Sequence, residues 1–94
     1  MDLDEGRKRI DDIDDRILAL LEERAGVVAD LAATKAKAGI AFLDPDRERA
    51  VLDRLAESAR AHFPPDAIRA VYREVITACQ AALAMRSASG RFST

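Results

Sequence analysis

The sequence is poor in cysteine, histidine and aromatic residues. It contains one cysteine, one histidine and no tryptophan in 94 residues, and only 4% of its residues are aromatic. A single cysteine excludes an internal disulfide framework and a multi-cysteine metal site. With one histidine, the spacing of a Cys-His zinc site is excluded as well. The sequence also lacks a glycine-rich phosphate loop.

Long apolar runs and an excess of positive charge are also missing. No apolar run approaches the roughly 18 residues that span a membrane, and the N-terminus is too polar for a signal peptide. The net charge of −2 provides no basic surface for nucleic acid. We therefore expect a cytoplasmic protein that binds neither membranes nor nucleic acid. The sequence is alanine-rich and 34% charged, a composition that favours helices.

Residues 3–38 contain no proline, and their apolar residues recur at steps of three, four and seven. This periodicity predicts one amphipathic helix with a length of about 54 Å. A compact monomer of this size has a radius of gyration of only about 12 Å. The remaining residues cannot cover such a helix, so we expect a second copy of the chain to bury its exposed stripe.

Turn signals divide the rest of the chain. Gly39 fits the position just after a helix, and Asp44 followed by proline fits the start of the next. We expect the second helix to run from Pro45 to Arg60 and, after a proline pair, the third from Pro65 to Met85. These boundaries predict one helical domain over 1–86 and a flexible tail over 87–94.

Two cations interrupt the apolar stripe of the first helix. Arg24 and Lys35 lie eleven residues apart, nearly three helical turns, so they share a face. Either the two cations converge on an anion, or each packs its stem and extends its charge into water. Arg7 lies seventeen residues before Arg24, about 25 Å along the axis. Either the long helices of two chains pack antiparallel, so that Arg7 of one chain meets Arg24 of the other, or Arg7 is a solvated surface charge.

The start of the second helix carries a dense charge cluster. Its acidic residues are ordinary for a helix N-terminus, but Arg47 opposes the helix dipole there. Arg47 and Glu48 both border the apolar face of this helix. The cluster is therefore either a second part of a binding site or a solvated group of surface charges.

Five segments, taken in order, resemble the all-helical (AroQ-class) chorismate mutases. The resemblance covers residues 3 to about 86 and implies an all-α fold, with three helices per chain in an intertwined homodimer. It also implies two active sites that each draw on both chains. The segments are Arg7-x-x-Ile10-x-x-Ile13-Asp14, Ile17-Leu18-x-Leu20-Leu21-x-x-Arg24, Lys35, Asp44-Pro45-x-Arg47-Glu48 and Tyr72-Arg73-Glu74-Val75-Ile76.

The resemblance implies conversion of chorismate to prephenate in the shikimate pathway to aromatic amino acids. This intramolecular Claisen rearrangement needs no nucleophile, metal or cofactor. It needs fixed cations that hold a dianion and stabilise the charge that develops on its ether oxygen. Two alternatives stay open: a same-fold isochorismate-pyruvate lyase or amino-deoxychorismate mutase, or a weakly active dimer that serves as a partner domain of another aromatic-pathway enzyme.

The resemblance assigns carboxylate-binding roles on both chains. Arg7 of the partner chain is implied to hold the side-chain carboxylate, and Arg24 a carboxylate from its own chain, since a guanidinium pairs bidentately with carboxylates. Lys35 is implied to donate to the ether oxygen and to a carboxylate. Cys79 stands where the family usually has serine, a donor towards the ring carboxylate. A thiol is a weaker donor, so we expect some loss of binding.

At the other end of the substrate, Glu48 is implied to accept a hydrogen bond from the C4 hydroxyl, with Asp44 and Arg47 completing the cluster. One position departs from the family. Leu83 replaces the usual Gln or Glu that faces the ether oxygen, and leucine cannot donate a hydrogen bond. Gln80 lies one turn earlier, about 5–6 Å away. Either Gln80 supplies the missing contact, or it is a surface amide and the site is weakened.

Overall fold

The computed structural model describes the backbone of residues 1–92 and the side chains of residues 1–86. Over the described residues the chain forms three helices, α1 at Leu3–Ala38, α2 at Pro45–Glu57 and α3 at Pro65–Phe92. This part of the chain contains no strand. The prediction of an all-α fold with one very long N-terminal helix is therefore confirmed.

The first two helices begin at capping aspartates. The Asp2 side chain accepts a hydrogen bond from the Glu5 N–H at 2.8 Å, and the Asp44 side chain accepts one from the Arg47 N–H at 3.0 Å. Each carboxylate satisfies an N–H that has no partner within its helix. Pro45 follows Asp44 at the first helical position, where its missing N–H costs nothing.

The end of α1 is a left-handed turn at Gly39, as predicted. Gly39 has φ 70° and ψ 24°, a conformation that glycine adopts without strain. The Gly39 N–H donates to the Ala36 carbonyl at 3.2 Å, and the Ile40 N–H donates to the Lys35 carbonyl at 2.9 Å. This pair of bonds is the Schellman motif. It turns the chain back towards the last turn of α1.

The second helix ends at Glu57, three residues before the predicted end at Arg60. Ser58 explains the difference, because its hydroxyl donates to the Arg54 carbonyl at 3.0 Å. Its own N–H is shared between the Arg54 and Leu55 carbonyls. Such side-chain bonds compete with continuation of the helix.

The third helix runs to Phe92, seven residues beyond the predicted end at Met85. The added segment contains no proline, so its backbone can continue the helix. The sequence predicts a flexible tail over residues 87–94. The side chains of these residues, and the backbone of 93–94, lie outside the described part of the chain. The domain boundary at residue 86 therefore stays a prediction.

Helix α3 organises the packing. It contacts both α1 and α2, whereas α1 and α2 do not pack against each other within the described residues. An ion pair between Arg69 and Asp53 joins α3 to α2. The resulting molecule is long and flat, with extents of 52 × 33 × 15 Å and a radius of gyration of 16.7 Å.

A single chain leaves most of its apolar surface uncovered. Among the described residues, only Ala56 and Cys79 are buried hydrophobic side chains, 4% and 5% exposed. The apolar stripe of α1 is instead 39–67% exposed. None of the helices in residues 1–92 is long and apolar enough to cross a membrane. The exposed stripe consists of Leu3, Ile10, Ile13, Ile17, Leu18, Leu20, Val27 and Leu31.

Candidate active site

A cavity of about 190 Å³ lies where the second half of α1, the start of α2 and the middle of α3 meet. We call it the polar cleft. Its apolar wall is formed by Val28, Leu31, Phe42, Val51 and Ile76. Seven of the nine site residues predicted from the sequence line it: Arg24, Lys35, Asp44, Arg47, Glu48, Cys79 and Gln80.

Arg24 and Cys79 join α1 to α3 at one side of the polar cleft. The Arg24 guanidinium donates from Nη1 to the Cys79 Sγ at 3.2 Å. The thiol is only 5% exposed, so its position is fixed by packing. The sulfur therefore acts as an acceptor that orients the guanidinium. The other N–H groups of Arg24 stay available to a ligand.

Lys35 lies in the last turn of α1 and is held by the segment that follows this helix. Its Nζ donates to the Phe42 carbonyl at 3.1 Å and lies 5.9 Å from the centroid of the Phe42 ring. Phe42 is a lining residue that the sequence interpretation did not identify. Its signal in the sequence was weak, because an apolar residue between Gly39 and Asp44 reads as ordinary loop packing.

The start of α2 supplies the charged rim of the polar cleft. Asp44 caps the helix through the Arg47 N–H, and its carbonyl accepts from the Glu48 N–H at 3.0 Å. These two bonds fix the backbone of all three residues relative to one another. Asp44 and Arg47 are exposed, whereas Glu48 is half-buried.

Gln80 lies inside the polar cleft, and Leu83 does not. The Gln80 Nε2 donates to the Glu48 Oε1 at 2.8 Å, which joins α3 to α2. Leu83 instead lines a separate cavity of about 220 Å³ between α1 and α3, beside Gly26 and Ala29. Of the two residues considered as partners of the ether oxygen, Gln80 therefore lies close to the other polar groups of the cleft and Leu83 does not.

Arg7 lies far from the polar cleft of its own chain. It is exposed and lines a shallow cavity at the start of α1 together with Leu3 and Ile10. The rise of the helix separates it from Arg24 by about 25 Å. One chain therefore brings together seven of the predicted residues, and Arg7 is not among them.

The electrostatics of the polar cleft favour an anion. It is lined by three cations, Arg24, Lys35 and Arg47, and two carboxylates, Asp44 and Glu48. Among the described residues none of these cations forms a salt bridge. The ion pairs there are Arg49–Asp46 and Arg69–Asp53. Both carboxylates already accept hydrogen bonds from the protein. Fold and cleft together define a small all-helical protein with a polar cleft in which cations outnumber carboxylates.

Comparison with known proteins identifies the family. The family model described as chorismate mutase type II matches residues 6–82, so the chain belongs to this family. The chain is 39% identical over 82 residues to a bifunctional chorismate mutase/prephenate dehydratase of Aquifex aeolicus, which covers 83% of this chain and 23% of that protein. It is 42% identical over 60 residues to a chorismate mutase of Methanocaldococcus jannaschii, which covers 64% and 61%.

Solved structures agree with this assignment. Chorismate mutase from Thermus thermophilus, in its form II, superposes with a TM-score of 0.81 at 29% identity, covering 83% of this chain and 89% of that chain. Form I of the same enzyme gives a TM-score of 0.80 at 30% identity, covering 82% and 96%. The chain spans less than two thirds of the length of the two curated relatives named above.

Proposed function

We propose that the protein is a chorismate mutase, an isomerase that converts chorismate to prephenate in aromatic amino acid biosynthesis. The observation that carries the proposal is the polar cleft, where Arg24, Lys35 and Glu48 line one small cavity. All three lie within the residues that match the chorismate mutase type II family. Both curated relatives named above are described as chorismate mutases.

The reaction suits a site made of fixed charges. The substrate is a dianion, and within it one carbon–oxygen bond breaks while one carbon–carbon bond forms. No atom is gained or lost, and no covalent intermediate with the protein is needed. Arg24 holds a carboxylate, and its contact with Cys79 keeps it oriented. Lys35 donates to the ether oxygen, on which negative charge develops, and to a carboxylate.

At the other end of the substrate, Glu48 accepts the hydrogen bond of the C4 hydroxyl, with Asp44 and Arg47 beside it. Gln80 supplies the donor that Leu83 lacks. A side-chain amide carries two N–H groups, and only one is used by Glu48. The second is available to the ether oxygen. This arrangement favours Gln80 as the source of the missing contact over a surface amide beside a weakened site.

We further propose a homodimer in which Arg7 of the partner chain completes each polar cleft. The exposed stripe of α1 needs a cover that its own chain does not provide. The radius of gyration of 16.7 Å also exceeds the value of about 12 Å for a compact chain of this length. An antiparallel pair of α1 helices would bury the stripe and bring Arg7 of one chain towards Arg24 of the other. The cellular location that fits this enzyme is the cytoplasm.

Two related functions are favoured by particular observations. Leu83 leaves the family pattern, which favours adaptation of the same fold to a related substrate, as in isochorismate-pyruvate lyase or amino-deoxychorismate mutase. Glu48 argues for chorismate, since it is placed to accept from a hydroxyl. The bifunctional relatives favour a role as partner domain of another aromatic-pathway enzyme.

The decisive experiment is to mix the purified protein with chorismate and follow the loss of its absorbance, with prephenate identified as the product. The Arg24→Ala and Lys35→Ala proteins serve as matched controls. Parallel reactions with isochorismate, assayed for pyruvate, and with amino-deoxychorismate test the related activities. Turnover of chorismate that both substitutions abolish supports the proposal. Absence of prephenate, with either other substrate consumed, assigns the related activity instead.

A further inference from the structure

The segment between α1 and α2 places Phe42 against Lys35, through both its carbonyl and its ring. We propose that Phe42 is a positioning residue: its carbonyl fixes the rotation of the Lys35 ammonium, and its ring covers one side of that group. The inference rests on the proposed function, in which Lys35 contacts the reacting ether oxygen. It adds a residue that neither the family resemblance nor the comparisons assign.

Two independent bonds connect Lys35 to the segment that contains Phe42. The Lys35 carbonyl accepts from the Ile40 N–H at 2.9 Å, and the Lys35 Nζ donates to the Phe42 carbonyl at 3.1 Å. The first bond belongs to the turn at Gly39, which only a residue tolerant of positive φ completes easily. The turn therefore brings the chain past Lys35, and the second bond joins the Phe42 carbonyl to the ammonium.

The contact with Phe42 leaves Lys35 with as many free N–H donors as the substrate has acceptors for it. A lysine ammonium has three N–H donors that rotate freely about the Cε–Nζ bond. The Phe42 carbonyl takes one of them and so stops the rotation. Two donors remain, and the proposed reaction offers Lys35 two acceptors, the ether oxygen and a carboxylate. The free protein thus presents the donors already aligned, which reduces the reorganisation needed when negative charge develops on the ether oxygen in the transition state.

The Phe42 ring adds a second, weaker effect. Its centroid lies 5.9 Å from the Nζ, near the outer limit for attraction between a cation and an aromatic face. Both side chains are half-buried. The ring therefore acts mainly by excluding water from one side of the ammonium and by keeping the four-carbon stem in place. The carbonyl and the ring can be tested separately.

The carbonyl is tested by replacing the amide between Phe42 and Leu43 with an ester in the full-length synthetic chain. An ester carbonyl is a weaker acceptor, and the N–H that is lost, that of Leu43, makes no backbone hydrogen bond in this turn among the described residues. An ester between Ile40 and Ala41 is the matched control, because Lys35 does not bind that carbonyl. We expect kcat to fall about 5- to 10-fold with the test ester, with little change in the melting temperature or KM.

A second measurement does not depend on activity. The chain has only three lysines, Lys8, Lys35 and Lys37, so their ¹⁵N-labelled ammonium groups are easily distinguished. Lys8 and Lys37 are exposed and serve as internal references. We expect the Lys35 ammonium protons to exchange with water more slowly than those of the other two. The test ester should remove most of this difference, and the control ester should retain it.

The ring is tested by Phe42→Leu and Phe42→Tyr. We expect Phe42→Leu to lower kcat and to speed proton exchange at Lys35, and Phe42→Tyr to keep both near the values of the unmodified protein. Equal exchange at all three lysines, or equal kcat for the two esters, would overturn the positioning proposal while leaving chorismate turnover intact. An unmodified protein that does not convert chorismate overturns the proposed function itself, and with it the catalytic purpose of this contact.

Discussion

The side chains at positions 80 and 83 allow the sharpest test of the candidate site. Gln80 donates to Glu48 inside the polar cleft, whereas Leu83 lines the neighbouring cavity between α1 and α3. Replacing Gln80 with leucine removes the amide and keeps a side chain of similar size. Replacing Leu83 with glutamine adds an amide where the family usually has one. The two changes therefore test whether the substrate is contacted by an amide at position 80 or by one at position 83.

The expected size of the effect follows from two losses in Gln80→Leu. The first is the donor to the ether oxygen, and removal of one such preorganised donor lowers turnover by about 10²–10³. The second is the hydrogen bond to Glu48, which is worth about 1.5–3 kcal/mol when the partner is charged. Because Glu48 is only half-buried, water replaces much of this second contribution. Loss of the donor therefore dominates, and we expect a fall of about 10²–10³ in kcat.

Leu83→Gln should change turnover little, because its side chain starts in another cavity and the ether oxygen already has a donor. The double variant, Gln80→Leu with Leu83→Gln, should stay as slow as Gln80→Leu alone. Initial rates of chorismate loss at saturating substrate measure these differences. Thermal unfolding of each variant is the control for damage to the fold.

Three results would refute this reasoning. If Gln80→Leu is neutral and Leu83→Gln raises turnover, the amide of Gln80 does not act on the substrate and the usual family position does. If neither single change alters the rate of an active protein, this face of α3 does not contact the breaking bond. Full recovery in the double variant would show that both positions reach the ether oxygen.

The remaining predictions concern the cations, the assembly and one glycine. Arg24→Ala and Lys35→Ala should each lower chorismate turnover by about 10² or more with little loss of thermal stability, and survival of activity in both would exclude the assigned site. Arg7→Ala and Arg24→Ala should each be nearly inactive alone but regain activity when mixed and refolded, because a heterodimer then has one intact site; no recovery would argue against a shared site. Sedimentation at micromolar concentration should show a dimer that loses helicity as it dissociates, whereas a fully helical monomer would contradict this assembly. Gly26→Ala should raise the free energy of unfolding by about 1 kcal/mol, since a Cβ there meets no atom within 4 Å; a lower melting temperature would show that another surface packs against it.

The sequence predicted the parts of the fold that depend on local chemistry. The bounds of α1, the turn at Gly39 and the cap at Asp44 follow from residue types with strong backbone preferences, and the structure agrees with all three. The ends of α2 and α3 were predicted less well. Ser58 ends α2 early through its own hydrogen bonds, and nothing in the sequence near Met85 forces α3 to stop.

The candidate site was predictable where resemblance and helical spacing agree, and unpredictable where contacts join distant segments. Helical geometry places Arg24 and Lys35 on one face, but it does not reveal that Phe42 meets Lys35. It also left the direction of the Gln80 side chain open, because that direction depends on Glu48, 32 residues away in sequence. The role of Arg7 depends on a second chain and stays a prediction.

The cap at the start of α2 sets the backbone at one end of the polar cleft by local hydrogen bonds. Asp44, Arg47 and Glu48 are connected by two hydrogen bonds within five consecutive residues. Both hydrogen bonds lie within the first turn of this helix and involve no other helix. Asp44→Asn would keep the cap while removing the charge, because both residues cap helices well. The charge at this end of the cleft can therefore be changed by substitution within one helical turn, without redesign of the helical packing around it.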